Sequence, residues 1–521
     1  MKGAVAAGHP LTARAGARML EEGGNAVDAC IAAAFVSWVA ESPLTGPGGG
    51  GFMLVHRARD RSDRVLDFFV AIPGRGLPAH AGGEMFVVEV PFDERTLQVF
   101  RIGAAACAVP GVLAGLGAAH RRYARLPWAE LVAPAVEVAR AGVELNAEQA
   151  FLHEILDVAL RHEEEGRRIY GEEAPLCAGE RLVMADLAGT LEWLAAEGAD
   201  AFYRGELARR IDETARAGGG RITLDDLATY RVIQRRPVRT RFRSFEFVSN
   251  PPPSSGGLLI AFALGTLDRL GPPPGQGSAG ALALLAEVMR EATRARGGGF
   301  VAELYRGGAG KRLLAPARLD AAAEAVRERR RVPAREPAGF PSTTHISVVD
   351  GAGNAASLSS STGCGSGVVV PGTGIQLNNM LGEHDLNPDS GTARVGERLT
   401  SMMAPSLVLA DGRPRLVVGS AGSIRLRAAI LQIVVNVLDH GLTMSEAIGA
   451  PRVHLEGDVL QLEGGVLPET AERLEEWGYE VTRWAGRNLY FGGASGVARR
   501  EGGELEAAGD PRRGGAGVVV G

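Results

Sequence analysis

The chain has 521 residues, 45% hydrophobic and 22% charged, with a formal net charge of −5 at pH 7. Charges of both signs are interspersed and give no sign of a nucleic-acid surface, and no stretch supplies the ~18–20 uninterrupted apolar residues of a membrane span. The four cysteines, Cys30, Cys107, Cys177 and Cys364, lack CxxC spacing and are read as small buried fillers, not metal or redox ligands.

Met1-Lys2-Gly3 runs on without the apolar stretch of a signal peptide, so a cytoplasmic protein is expected, or a periplasmic or secreted one if a leader was removed. Leu11 to Glu22 and Ala26 to Val39 read as helices, the first stopped by Gly23-Gly24. Gly46 to Gly51 follows no βαβ pattern and reads as close backbone packing, while Phe52 to His56 and Val65 to Val70 read as strands. Trp128 to Ala133 and Pro134 to Arg140 read as two short helices, because proline suits a first helical position better than an interior one. Leu187 to Glu197 and Leu258 to Leu270 are further helices. The charged run Arg327 to Arg331 leads into a segment punctuated by Pro333, Pro337, Gly339 and Pro341, which is expected to be an exposed, non-helical connector. Beyond it, Thr344 to Asp350, a Gly351-Ala352-Gly353-Asn354 turn, Ala355 to Ser361 and Leu416 to Gly419 supply strands.

Two tempting motifs fail. Gly307-Gly308-Ala309-Gly310-Lys311-Arg312 lacks the earlier glycine and the hydroxyl residue of a P-loop, and His153-Glu154 and His162-Glu163-Glu164 are not spaced as HExxH. No cofactor and no metal are expected. The chemistry lies instead in Ser342-Thr343-Thr344-His345, a pair of hydroxyl residues between a breakable connector and an apolar strand. A threonine hydroxyl is a poor nucleophile until a base takes its proton, and the residue's own α-amine serves once the preceding peptide bond is cut. With a reference pKa of about 7.7–8.0, that amine is partly free base near neutrality.

Blocks along the chain carry a resemblance that the residues alone do not settle. They are Ala4-Val5-Ala6-Ala7-Gly8-His9-Pro10, Gly23-Gly24-Asn25-Ala26-Val27-Asp28-Ala29, Gly46-Pro47-Gly48-Gly49-Gly50-Gly51-Phe52 and Val109-Pro110-Gly111. Pro251 to Gly257, Thr343-Thr344-His345, Leu377-Asn378-Asn379, Ala450-Pro451-Arg452 and Asp510-Pro511-Arg512 follow. In this order they resemble the γ-glutamyltranspeptidase family of N-terminal-nucleophile hydrolases over nearly the whole chain. The resemblance implies an α+β fold, a four-layer αββα sandwich, built from a large fragment (1–342) and a small one (343–521) after self-cleavage. Thr343 is implied as the nucleophile, and only the resemblance chooses it over Thr344. His345 is given no catalytic role. Ser361 falls where the family has a supporting threonine, with Ser359, Ser360 and Thr362 leaving the register open. Gly422 and Ser423 occupy the paired-glycine positions of the oxyanion turn, the second glycine being a serine here.

Departures gather in substrate recognition. The family's carboxylate-clamping arginine and its glutamate read Phe69-Val70, which leaves Arg75 as the nearest substitute, whereas the hydroxyl pair Thr400 and Ser401 is kept. For the donor's ammonium, the asparagine is lost to the Thr362 to Gly367 loop, Met380 replaces a glutamine, and Glu383 stands near the family's aspartate. The segment Leu381 to Arg398 is shorter than a lid, so an open site and a preference for hydrolysis over transfer are expected. Three readings follow. The first is a self-processing γ-glutamyl hydrolase or transferase passing its acyl group to water or an amine. The second is the same machinery acting on another N-acyl amide, and the third is an unprocessed binding relative. Expected partners are a small amide substrate and the sister fragment, in a heterodimer or a dimer of heterodimers, with neither nucleic acid nor membrane.

Overall fold

The computed structural model describes residues 2–78, 81–91, 97–328, 343–383 and 394–521. The connector at 329–342, including Ser342, and residues 384–393 of the shortened segment therefore lie outside the described residues. The strands that matter are β1 (Gly3–Ala7), β2 (Gly50–Arg57), β3 (Ser62–Phe68), β4 (Ile233–Arg235), β5 (Val238–Phe242), β6 (Phe245–Ser249) and β7 (Thr344–Asp350), followed by β8 (Ala355–Ser361), β9 (Ser406–Ala410), β10 (Arg413–Ala421), β11 (Gly493–Arg499), β12 (Leu505–Gly509) and β13 (Ala516–Val520). Seven form one antiparallel sheet in the order β13-β1-β7-β8-β2-β3-β4, and six form a second in the order β12-β11-β10-β9-β6-β5.

The two sheets pack face to face, with Phe52, Leu54, Phe69, Val70, Val349, Leu407 and Val417 in the apolar layer between them. Helices cover the outer faces. On the first sheet lie α1 (Pro10–Glu21) and α2 (Ala26–Ala40), with α3 (Trp128–Ala141) packed on α2 and α4 (Ala185–Glu197) on α3; on the second lie α5 (Gly256–Leu270) and α7 (Leu426–Leu438), with α6 (Ala279–Arg294) packed on α5. This is the expected αββα sandwich. Strand β7 is an interior strand of the first sheet, between β1 and β8, so the segments before and after the connector are interleaved in one sheet.

Local sequence explains the helix that matters most for the site. Every residue of α2 is buried, which fits its apolar composition, and Asn25 and Asp28 close a reciprocal cap at its start. The Asp350 carboxylate at the end of β7 accepts from the Ala26 N–H at 3.1 Å, docking that helix on the strand. The glycine run before β2 packs as the sequence suggests: a Cβ at Gly49 or Gly51 would strike the carbonyl oxygen of Ser361 or Ser359 on β8.

Three expectations are corrected. Trp128–Ala141 is one helix with Pro134 inside it, because Leu131, Val132, Ala135 and Ala139 on both sides of the proline bury one continuous face. That burial outweighs the hydrogen bond which proline cannot make. Strand β3 ends at Phe68, because the Phe69 N–H turns back to the Asp67 carboxylate at 3.1 Å. Cys177 is exposed, while the other three cysteines are buried.

Candidate active site

The strand ends place the candidate residues. Thr344 pairs with Ser360, and the same antiparallel register continued one step sets Thr343 against Ser361, with Gly50 on the far side of Ser361. Along β7, side chains alternate between the sheet's faces. Thr344, Ile346 and Val348 face α2, with the Thr344 hydroxyl donating to the Glu41 carboxylate at the end of that helix and Ile346 and Val348 in the helix-side core. His345 and Ser347 face the second sheet, where the Ser347 hydroxyl donates to the Ser495 carbonyl at 3.1 Å and a Cβ on Gly419 would overlap the His345 ring. The alternation puts Thr343 on this second face.

His345 is walled in. Its Nδ1 lies 2.8 Å from the Ser359 hydroxyl and its Nε2 3.0 Å from that of Ser347, and burial lowers its pKa to about 3. A neutral ring bracketed by serines ties the strands together. Of the hydroxyls around the Ser361 register, Ser359 is thus committed to His345, and Ser360 accepts from Thr45 at 3.0 Å. Ser361 stands at the strand end and accepts from the Gly363 N–H at 2.8 Å.

Gly422 and Ser423 turn the chain from β10 towards α7 with φ of 133° and 48°. A non-glycine residue in that left-handed region is strained, and it stands where the sequence places oxyanion donors. Two contacts link this turn to Thr343. Ala421 pairs with Gly493, whose close approach leaves room for the Arg513 side chain, and Arg513 Nη1 donates to the Thr343 carbonyl at 2.9 Å.

The proposed recognition residues separate into two groups. Leu399 donates to the Val70 carbonyl at 3.2 Å, so Thr400 and Ser401 follow directly on a segment joined to the Phe69-Val70 position. Both are buried, and Ser401 is knitted to the Pro251 to Gly257 block, its carbonyl accepting from the Ser255 N–H at 2.8 Å. Glu383 lies beside the loop after Ser361, where a Cβ on Gly363 would come within 2.9 Å of Glu383 Oε1. Arg75 is different: its side chain is 43% exposed and its guanidinium faces Asp226 at 3.8 Å, on a turn whose backbone N–H also binds that carboxylate. Nor does a cation stand at the family's arginine position. Phe69, Val70 and Met380 are all buried in the apolar layer between the sheets, with Phe69 stacked on Phe52 at 5.4 Å.

Sequence reasoning missed Glu41 and Arg513. The available signals were an acid ending an otherwise apolar helix and a second arginine after Asp510-Pro511-Arg512. Among the described residues no group of three or more His, Cys, Asp or Glu could hold a metal ion, and no helix is long and apolar enough to cross a membrane.

Comparison with known proteins bears on this arrangement. The sequence profile of the gamma-glutamyltranspeptidase family matches residues 12–520. The glutathione hydrolase proenzyme of Escherichia coli (strain K12) is 32% identical over 98% of this chain and 90% of its own length. The acylase ACY 1 proenzyme of Pseudomonas sp. (strain SE83) is 34% identical over 100% of this chain and 94% of its own. Among solved structures, cephalosporin acylase from Bacillus halodurans superposes with a TM-score of 0.84 at 25% identity, covering 99% of this chain and 95% of that one. The γ-glutamyltranspeptidase of Helicobacter pylori gives a TM-score of 0.53 at 30% identity, covering 61% and 90%. A hydroxyl residue at the mouth of a two-sheet sandwich, a family profile over nearly the whole length and relatives of both activities lead to one conclusion: the chain belongs to the gamma-glutamyltranspeptidase family, with the N-terminal-nucleophile hydrolase fold.

Proposed function

We propose that the protein is a self-processing N-terminal-threonine amidase whose donor is an N-acyl amide other than a γ-glutamyl one. The Thr343 hydroxyl attacks the Ser342 carbonyl, the acyl group passes from nitrogen to oxygen, and water hydrolyses the ester to leave fragments 1–342 and 343–521. In turnover the same oxygen attacks the donor amide, its proton passes through the Thr343 α-amine to the leaving amine, and water resolves the acyl-enzyme. Gly422 and Ser423 supply main-chain N–H groups to the oxyanion, and Ser361 supports the nucleophile.

One observation carries the choice of donor: Phe69, Val70 and Met380 share the apolar layer between the sheets, where the family's arginine, glutamate and glutamine stood. These side chains offer a donor's α-carboxylate no bidentate partner and its ammonium no anion. The acylase among the relatives and the cephalosporin acylase among the structures agree with this reading. A second reading, a γ-glutamyl donor, is favoured by the retained Thr400, Ser401 and Glu383.

Purified, processed protein assayed with a matched series of acyl anilides decides between them. The expected result is a kcat/KM at least tenfold higher for an unsubstituted acyl chain than for the γ-glutamyl compound. Equal or better turnover of the γ-glutamyl anilide would restore the second reading.

A further inference from the structure

Beneath the candidate nucleophile lie two buried charges that the proposed chemistry does not use. Glu41 ends α2, its N–H bonded to the Ser37 carbonyl at 2.8 Å, where the helix dipole is unfavourable to an anion. Its carboxylate accepts from Thr344 on one oxygen and from Thr12 at 2.9 Å on the other. Gly8, in the first sequence block, has to be small because a Cβ there would overlap Glu41 Oε2. Arg513 comes from the far end of the chain and donates to the Thr343 carbonyl, and Gly493 has to be small to let its side chain pass. Both residues are at most 5% exposed.

Resting on the reading of Thr343 as nucleophile, we infer that Glu41 and Arg513 are a positioning pair: Arg513 fixes the Thr343 main chain and tunes its amine, and Glu41 pins the next residue on the opposite face. Thr344 is thereby held away from the reacting side, so two adjacent threonines acquire different roles.

The charges have a predictable effect on the amine that processing exposes. By covalent geometry, the Thr343 nitrogen lies no more than about 6.5 Å from the guanidinium that binds its own carbonyl. A fixed positive charge there disfavours the ammonium form and raises the free-base fraction at neutral pH. Glu41, one residue further away, acts in the opposite sense and more weakly. Burial raises its pKa, while Thr344, Thr12 and Arg513 pull it back down. Burial brings Arg513 to about 10, with Asp510 and Glu41 raising it and Arg452 and Arg425 lowering it, so it stays a cation at neutrality. Among the described residues, His345 on β7 is a further titratable neighbour and is neutral, and Glu383 stands beside the loop after Ser361.

The test is the pH profile of kcat/KM of processed enzyme, whose acid limb reports the free-enzyme base. Arg513→Met is expected to move that limb up by about one pH unit and to cut kcat/KM about tenfold at pH 7. Arg513→Lys, which keeps the charge, is expected to return the limb towards wild type. Glu41→Gln, close in shape, is expected to move it down by a fraction of a unit, and it reads the pair on its own if Arg513→Met does not fold. An unmoved limb in the folded variants, with Thr343→Ala inactive, overturns the pair alone. An active Thr343→Ala enzyme overturns the nucleophile reading and this proposal with it.

Discussion

The two faces of strand β7 have opposite characters. Towards α2, Thr344, Ile346 and Val348 meet a largely apolar helix layer, with the Glu41 carboxylate at one end of the strand and the Asp350 carboxylate docked on Ala26 at the other. Towards the second sheet, His345 and Ser347 join Ser359, Ser357 and Ser495 in a buried polar seam, at the mouth of which stands Thr343. The difference teaches that the pleat can separate two identical neighbouring side chains more sharply than their chemistry does. Thr344 is occupied as a structural donor, and Thr343 lies on the side where Gly422 and Ser423 turn.

The largest expected effect breaks this contrast at its source. Thr343→Ala should give a single uncut chain with no measurable turnover, visible by intact mass. Thr344→Ala should still process, and should lose about 1–3 kcal/mol of stability because Glu41 is left short of a donor. A Thr344→Ala chain that stays whole while Thr343→Ala is cut would reverse the assignment of the faces.

How much of this was legible in the sequence differs between the faces. The strand limits Thr344–Asp350 and Ala355–Ser361 follow from β-branched and hydroxyl residues bounded by a glycine turn, because local pattern and tertiary pairing agree there. The ends of β3 and the continuity of α3 were not readable. Phe69 turns on a side-chain bond to Asp67, and Pro134 is tolerated because the apolar face on both sides of it is buried against neighbouring helices. For partners contributed by distant segments, such as Glu41 for Thr344 and Arg513 for Thr343, the local signal marks an unusual residue but not the group it meets, which lies 303 and 170 residues away.

The polar seam predicts an acid response. His345 is lowered to about 3 by burial, and His9 and His153 to about 4, the first also by Arg14. Each binds a proton in the unfolded chain near pH 6.5 but stays neutral when folded. Stability is therefore fully present above about pH 6.5 and is lost as pH falls towards the folded values, by about 1.4 kcal/mol per pH unit for each histidine. Urea midpoints measured between pH 7 and pH 4.5 should fall steeply, and His345→Gln should reduce the slope by about one proton's worth. An unchanged slope would mean that His345 is solvated or charged in the folded protein.

The smallest effect concerns the turn that follows β10. Ser423 holds φ at 48°, a conformation that costs a non-glycine residue about 1–2 kcal/mol, whereas glycine adopts it freely. Comparing Ser423→Gly with Ser423→Ala separates backbone from hydroxyl, because both lose the side-chain oxygen and only the first relieves the strain. Ser423→Gly should be the more stable of the two by up to about 1 kcal/mol, with a kcat within a few-fold of wild type because its N–H is kept. Equal stabilities would show that the turn relaxes when the hydroxyl is removed. The serine's own bonds, and not the path of the chain, would then be what holds Ser423 in the left-handed region.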